Sequence, residues 1–286
     1  MSRIAYVNGR YLPHRDASVH VEDRGYQFAD GVYEVCEVRG GKLIDERRHL
    51  DRLDRSLKEL RIAAPMSRAA LSLVLRETVR RNLVRDGLVY LQVTRGVARR
   101  DHGFPAASVP PSLVVTSRSA NFAKSDAVAA AGIKVISLPE NRWDRVDIKT
   151  VGLLPNVLAK QAAREAGATE AWFVDANGFV TEGASTNAWI VTQDGALVTR
   201  PAEHGILRGI TRTVVMEVAA AMQLRVEERP FTLAEAGSAK EAFISSASAL
   251  VTPVILIDET AVGDGKVGPV ARSLRAQFHK FAEASA

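Results

Sequence analysis

The amino-acid sequence lacks the features on which several classes of protein depend. Its 286 residues include one cysteine, Cys36, so the chain can form neither an internal disulfide nor a cysteine metal cluster. The six histidines lack the spacing of metal ligands, and we expect no metal. No apolar run approaches the roughly 18 residues of a membrane span, and the first residues lack the apolar segment of a signal peptide. We therefore expect a soluble cytoplasmic protein that does not bind membranes.

Basic residues outnumber acidic ones, but they are scattered. The formal net charge is +5, no run of five like charges occurs, and the aromatic residues, 6% of the chain, are not interleaved with basic ones. Nucleic-acid binding is therefore not expected. The sequence also contains no Gly-x-x-x-x-Gly-Lys loop and no Gly-x-Ser-x-Gly elbow. Residues 263–268 match Gly-x-Gly-x-x-Gly, but no second strand follows them, and we interpret them as a glycine-rich turn.

The patterns that are present predict a two-domain α+β fold. A composition of 47% apolar and 25% charged residues is typical of a globular protein, and the length suggests about two domains. Strands and helices follow each other without strict βαβ alternation. We predict a smaller N-terminal α/β domain at residues 1–120, an alanine-rich connection at 121–130 and a larger C-terminal domain at 131–286.

Turns and helix caps give the clearest local signals. Asn8-Gly9 between two short apolar runs predicts a hairpin with a type I′ turn. Ser67 is suited to cap the start of a helix. Pro155 and Gly167 fit the first position and the end of another helix.

Lys149 lies in an apolar stretch of a chain that has few lysines. The alternation Val-Asp-Ile-Lys at residues 146–149 predicts the end of a short strand with one apolar face. An amine held on such a face is partly desolvated, and desolvation favours the neutral, nucleophilic form. The alternative is a lysine that extends from a strand end into water.

Two polar stretches in the C-terminal half could bind charged groups. Glu182 lies among small and hydroxyl residues at 181–187 and could accept a hydrogen bond from a buried cation. Leu207 precedes a glycine and a predicted helix that begins with Ile210 and Thr211, and the free N–H groups of such a helix start form an anion site. A solvated turn and an ordinary helix start are the alternatives.

Three further candidates are each also consistent with an ordinary surface position. Ser248 ends a run of hydroxyl residues between two strands and could contact a phosphate. Arg100 and His102 lie two residues apart in a loop, so both can point the same way and bind a carboxylate. Arg52, on a predicted helix, would by itself be interpreted as surface charge.

The order of these motifs resembles the D-amino-acid aminotransferases, which are fold-type IV pyridoxal-phosphate enzymes, over nearly the whole chain. The resemblance is carried by residues 22–34, 49–53 (His-Leu-Asp-Arg-Leu), 92–96 with Arg100 and His102, 147–149, 158–161, 181–183 with Asn187, 209–212 and 252–254. It implies a transaminase that moves the amino group of a D-amino acid, of the D-alanine or D-glutamate type, to a 2-oxo acid such as 2-oxoglutarate or pyruvate.

The resemblance also implies roles for individual residues. Lys149 would be the Schiff-base lysine, and Glu182 would face the pyridine nitrogen of pyridoxal 5′-phosphate. The remaining cofactor contacts would come from Arg52, Leu207, Ile210, Thr211 and Ser248. The substrate carboxylate would be bound by Tyr33, Arg100 and His102, with the arginine and histidine reaching over from the partner of a homodimer.

Two departures from the family pattern leave the substrate open. Residues 184–186 are Ala-Ser-Thr rather than three serines, and Ala247 replaces a hydroxyl residue in the late loop. This late loop is similar to that of branched-chain L-amino-acid aminotransferases. The alternatives are such an enzyme, an aminodeoxychorismate-lyase-like enzyme of the same fold, or a non-catalytic cofactor-binding protein.

Overall fold

The computed structural model describes residues 3–203 and 205–285, and the chain forms two compact units. The first unit contains the described residues of Met1–Phe122, Ile148–Gly152 and Glu283–Ala286. The second unit contains the described residues of Ala123–Asp147 and Leu153–Ala282. The α+β fold class expected from the sequence is confirmed.

An antiparallel six-stranded sheet with two long helices forms the first unit. Its strands pair in the order β2-β1-β6-β5-β3-β4. The elements are β1 (Ile4–Val7), β2 (Arg10–Pro13), α1 (Arg24–Phe28), β3 (Gly31–Arg39), β4 (Lys42–Leu43), α2 (Glu46–Glu59), α3 (Arg68–Arg81), β5 (Gly87–Thr94) and β6 (Ser112–Ser119).

The local signals of this unit act as predicted. Asn8 and Gly9 have positive φ angles of 44° and 91°, as a type I′ turn requires. The Ser67 side chain accepts a hydrogen bond from the N–H of Ala70 and caps α3. Alternate residues of β3, Cys36 among them, are buried in a core with apolar residues of α2 and α3.

The second unit is a mixed sheet with helices. Its strands pair in the order β12-β11-β10-β13-β14-β7-β8-β9, and β15 pairs with β14; β7 is parallel to both β8 and β14, and β11 is parallel to β12. The elements are α4 (Phe122–Ala131), β7 (Ile133–Pro139), α5 (Leu154–Glu165), β8 (Glu170–Val174), β9 (Val180–Gly183), β10 (Asn187–Val191), β11 (Leu197–Thr199), α6 (Ile210–Ala221), β12 (Val226–Glu228), α7 (Leu233–Gly237), β13 (Glu241–Ser246), β14 (Leu250–Ile257), β15 (Thr260–Ala261) and α8 (Pro269–Phe281).

The structure differs from the sequence-based expectations around the connection and the lysine. Residues expected to form only a connection form α4, because alanine favours helix even without an apolar period. The prediction that residues 146–149 form a strand end is wrong, because residues 144–147 form turns. Ile148–Gly152, with Lys149, groups with the first unit rather than with the residues around it. Within the described ranges, no helix is long and apolar enough to cross a membrane.

Candidate active site

Backbone hydrogen bonds attach Lys149 to the start of β3. The N–H of Tyr33 donates to the carbonyl of Lys149 at 3.0 Å, and Val32 forms an isolated bridge with Thr150. The neighbouring Ile148 is 3% exposed and packs into the core of the first unit. These contacts explain why a segment far along the chain belongs to this unit, and they fix the backbone from which the lysine side chain extends.

The amine of Lys149 lies over an aromatic ring. Its Nζ is 4.2 Å from the centroid of the Tyr33 ring, within the range of a cation–π contact. The Tyr33 ring is in turn 5.6 Å from that of Tyr90, whose hydroxyl donates to Oε1 of Gln92 at 2.7 Å. Burial, with a smaller contribution from Tyr33, raises the pKa of Tyr90 to about 12. The structure therefore brings Tyr33 and Lys149 together beside a phenol that stays protonated at neutral pH.

Arg52 is buried, although its sequence context alone suggested surface charge. Its side chain is 9% exposed, and its Nε and Nη2 donate to the two oxygens of Glu34 at 2.7 Å each. His49 forms a further 2.7 Å hydrogen bond to Glu34. Glu34 follows Tyr33 on β3, so the two side chains point to opposite faces of the sheet.

Arg100 and His102 gather around one phenylalanine. The guanidinium of Arg100 lies 4.6 Å from the ring centroid of Phe28, and the His102 ring lies 5.5 Å from it. Arg24 contacts the same ring and donates to the carbonyl of Asp101 at 2.6 Å. Both predicted carboxylate-binding residues are exposed. The contacts of the first unit thus form two groups, one of Tyr33 with Lys149 and one of the two loop residues.

Glu182 is held by several donors in the second unit. It lies on β9 and is 5% exposed. Its Oε2 accepts from the Asn187 amide at 3.0 Å and from the N–H of Leu207 at 3.1 Å, while Oε1 accepts from Arg142 at 2.6 Å. Hydrogen bonds of this kind favour the charged form of a carboxyl group. The arrangement therefore suits a carboxylate that must stay ionised in a buried position.

Sequence reasoning missed Arg142. Its side chain is 6% exposed, and Glu140 binds it through Nε at 2.9 Å and Nη2 at 2.6 Å. Burial works against the charge, but Glu140 and Glu182 outweigh it and raise the pKa of Arg142. The sequence signal was available, because Glu140 and Arg142 stand two residues apart directly after β7, where a carboxylate and a guanidinium can pair.

The start of α6, where the sequence predicts an anion site, lies directly after Gly209. Among the described residues, no side chain caps this helix at Gly209. A Cβ on Gly209 would lie 2.0 Å from Oδ1 of Asn187, so only glycine fits there without displacing the asparagine. The asparagine also donates to the carbonyl of Leu207 at 3.0 Å. Ile210 and Thr211, both buried, form the first turn, whose N–H groups carry the positive end of the helix dipole.

Ser248 lies in the turn between β13 and β14. It is exposed, and its hydroxyl is 3.4 Å from that of Ser246. Ala247 occupies the position between them. The two hydroxyls are therefore available at one strand end, with an alanine methyl where the family pattern suggested a third.

Comparison with known proteins identifies the family. The model for amino-transferase class IV matches residues 31–257, which is most of the chain. The chain belongs to the class IV aminotransferases. The family expected from the order of motifs is therefore confirmed.

Individual relatives of this class IV aminotransferase cover nearly its full length. It is 40% identical to the D-alanine aminotransferase of Staphylococcus haemolyticus over 97% of both chains. It is also 40% identical to the D-alanine aminotransferase of Listeria innocua serovar 6a, over 96% of this chain and 93% of that one.

Solved structures of branched-chain enzymes share the fold. The branched-chain amino acid aminotransferase of Escherichia coli superposes with a TM-score of 0.87 at 26% identity, covering 98% of this chain and 94% of that one. The T.th. branched-chain amino acid aminotransferase with pyridoxamine 5′-phosphate gives a TM-score of 0.89 at 25% identity, with 99% and 98% covered. The fold-type IV architecture is thus confirmed.

Proposed function

We propose that this class IV aminotransferase uses pyridoxal 5′-phosphate to move the amino group of a D-amino acid to a 2-oxo acid. The D-amino acid is of the D-alanine or D-glutamate type, and the acceptor is 2-oxoglutarate or pyruvate. The observation that carries the proposal is the amine of Lys149, half-buried over the Tyr33 ring in a chain 40% identical to D-alanine aminotransferases.

The residues present fit the chemistry of this cofactor. Its aldehyde needs an amine, which Lys149 offers, and its phosphate needs the donors of Arg52 and of the α6 start at Ile210 and Thr211. Gly209 lets the side chain of Asn187 approach that helix start, where a Cβ would meet its Oδ1. Its ring nitrogen needs a carboxylate, and Glu182 is buried and accepts hydrogen bonds from Arg142, Asn187 and Leu207. We assign Leu207 to the ring face and Ser248 to the phosphate.

The chain's own groups then carry out the proton transfers. Bound pyridoxal phosphate supplies the electron sink that stabilises the negative charge left at the substrate's Cα. With the cofactor bound, the amine of Lys149 would take the proton from Cα and return it at C4′. Glu182, as a carboxylate, holds a proton on the ring nitrogen, which deepens the sink. Tyr33 limits the directions in which the lysine amine can move.

We assign the substrate α-carboxylate to Tyr33, Arg100 and His102. An arginine can bind a carboxylate through two parallel hydrogen bonds, which fixes its orientation as well as its position. The loop residues contact Phe28, whereas Tyr33 contacts Lys149. We further propose a homodimer in which each loop serves the other subunit, as the resemblance to the family implies. We also propose that the enzyme acts in the cytoplasm, as expected from the sequence.

A branched-chain L-amino-acid aminotransferase is the second candidate. It is supported by Ala247 in the β13–β14 turn, which removes a hydroxyl next to Ser248 and makes the turn less polar.

A donor assay tests the choice. Purified enzyme would be given D-alanine, D-glutamate, L-leucine or L-glutamate with a 2-oxo acid acceptor, and kcat/KM compared. We expect the D-donors to react faster than both L-donors. Faster reaction of L-leucine than of D-alanine would overturn the D-specific proposal and favour the branched-chain one.

A further inference from the structure

Glu182 belongs to a buried chain of ion pairs whose other two members, Glu140 and Arg142, have no role in the proposed function. The guanidinium of Arg142 donates to two carboxylates. Glu140 accepts hydrogen bonds from Nε and Nη2, and Glu182 accepts one from Nη1 at 2.6 Å. The side chains of Arg142 and Glu182 are each 6% exposed. A charge of this kind is expensive to bury, so its position in the protein needs an explanation.

Several further contacts hold Glu140 and the guanidinium of Arg142 in place. The Thr181 hydroxyl donates to Oε2 of Glu140 at 2.7 Å, and the backbone N–H of Arg142 donates to Oε1 at 3.0 Å. The ring of Phe173 lies 4.6 Å from the guanidinium carbon. These contacts fix the plane of the guanidinium with Nη1 directed at Glu182.

We propose that Arg142, anchored by Glu140, is a positioning residue that keeps the proton shared by Glu182 and the cofactor on the ring nitrogen. This inference rests on the proposed function and extends it to two residues that do not carry out the proton transfers themselves.

The physical reason is a competition for one proton. A buried carboxylate without a cation gains proton affinity, because burial disfavours its charge. Facing a pyridine, such a carboxylate would take the proton and leave the ring neutral. A guanidinium at 2.6 Å stabilises the carboxylate anion, so the proton stays on nitrogen, where it strengthens the electron sink. Arg142 thus acts on the reaction through Glu182.

The test uses pyridoxal 5′-phosphate labelled with ¹⁵N in the ring, because the ¹⁵N NMR shift reports directly whether that nitrogen is protonated. It compares the wild-type holoenzyme with Arg142→Met, Arg142→Lys and Glu140→Gln. In Arg142→Met the ¹⁵N shift at neutral pH should move towards that of an unprotonated pyridine, because part of the shared proton passes from the nitrogen to Glu182. Arg142→Lys should restore part of the protonation of the ring nitrogen, because lysine keeps the positive charge but lacks the forked guanidinium. Glu140→Gln should change the ¹⁵N shift less, in the same direction as Arg142→Met.

Arg200→Met is the matched control. Arg200 lies in the same unit, is 18% exposed and pairs with Asp175 at 2.8 Å. The ring nitrogen in Arg200→Met should show the same ¹⁵N titration as in the wild type. A wild-type ¹⁵N titration in Arg142→Met would overturn the proposal; should that variant not fold, the same result in both Glu140→Gln and Arg142→Lys overturns it. A wild type that binds the cofactor without bonding it to Lys149 overturns the proposed function instead.

Discussion

Glu34 and Arg52 form two parallel hydrogen bonds of 2.7 Å, with Glu34 fully buried on β3 and Arg52 on α2. His49 adds a third hydrogen bond from the same helix. The carboxylate therefore fixes the plane of a guanidinium that we assign to the cofactor phosphate. An arginine held in this way loses little conformational freedom when it binds an anion.

The pair of Glu34 and Arg52 makes the free energy of unfolding depend on pH in the acidic range. Burial raises the pKa of Glu34, but the charge of Arg52 and the hydrogen bonds from Arg52 and His49 outweigh it and lower the pKa from 4.5 to about 2. Because the folded pKa lies below the unfolded one, the carboxylate stabilises the fold above pH 4.5, and this stabilisation is lost as the pH falls towards 2. Glu34→Gln should reduce the free energy of unfolding at neutral pH by about 3–5 kcal/mol and flatten the acid dependence.

Urea unfolding at a series of pH values measures both effects. Glu77→Gln is the control, because Glu77 pairs with Arg80 and Arg81 on the solvated face of α3. Its contribution should be small and should disappear in high salt. If the free energy of unfolding fell as steeply with decreasing pH in Glu34→Gln as in the wild type, Glu34 would not be the cause of the acid dependence.

The cofactor band should depend on Lys149 and not on other lysines. Purified wild-type protein reconstituted with pyridoxal phosphate should be yellow, and Lys149→Ala should lose that absorbance because it removes the amine that we assign to the aldehyde. Lys134→Ala, whose amine pairs with Glu259 at 2.9 Å, is the control and should keep it. A colourless wild type that cannot be reconstituted would eliminate the enzyme proposals.

Local chemistry was readable from the sequence, whereas long-range pairing was not. The Asn8-Gly9 turn and the Ser67 cap depend on residues a few positions apart, so their own side chains decide the outcome. The position of Lys149 depends on a hydrogen bond to Tyr33, more than a hundred residues earlier, and no local pattern encodes it. Arg52 shows the same limit: its helix position suggested solvent, and only the pairing with Glu34 explains its burial.

Gly209→Ala should weaken cofactor binding through Asn187. The new methyl group would meet the asparagine side chain, which donates to Glu182 and to the carbonyl of Leu207. Overpacking of this kind costs about 1–3 kcal/mol, so the dissociation constant of pyridoxal phosphate should rise by about 5-fold to 150-fold. Gly103→Ala, where the nearest atom is 3.8 Å from the added carbon, is the control for equilibrium titrations. Equal affinities in the two variants would contradict the close-packing argument.

Arg100→Ala should raise the KM of the amino acid and leave cofactor affinity nearly unchanged. A hydrogen-bonded ion pair with a carboxylate contributes about 1.5–3 kcal/mol, which predicts a rise in KM of about 10-fold to 100-fold. Arg99→Ala removes the same charge one residue earlier in the same exposed loop and should change KM far less. Equal loss of substrate and cofactor affinity in Arg100→Ala would count against its assigned role.

A hybrid dimer distinguishes a loop that serves its own subunit from one that serves its partner. In a hybrid of Lys149→Ala with Arg100→Ala, a shared arrangement leaves one site with an intact lysine from one subunit and an intact arginine from the other. Co-expressed and purified with two different tags, this hybrid should therefore regain about half of the wild-type activity at substrate concentrations where each parent is nearly inactive. If Arg100 serves its own subunit, both sites of the hybrid keep a defect, and the activity stays at the average of the two parents. A wild type that sediments as a monomer at assay concentrations would exclude the shared arrangement directly.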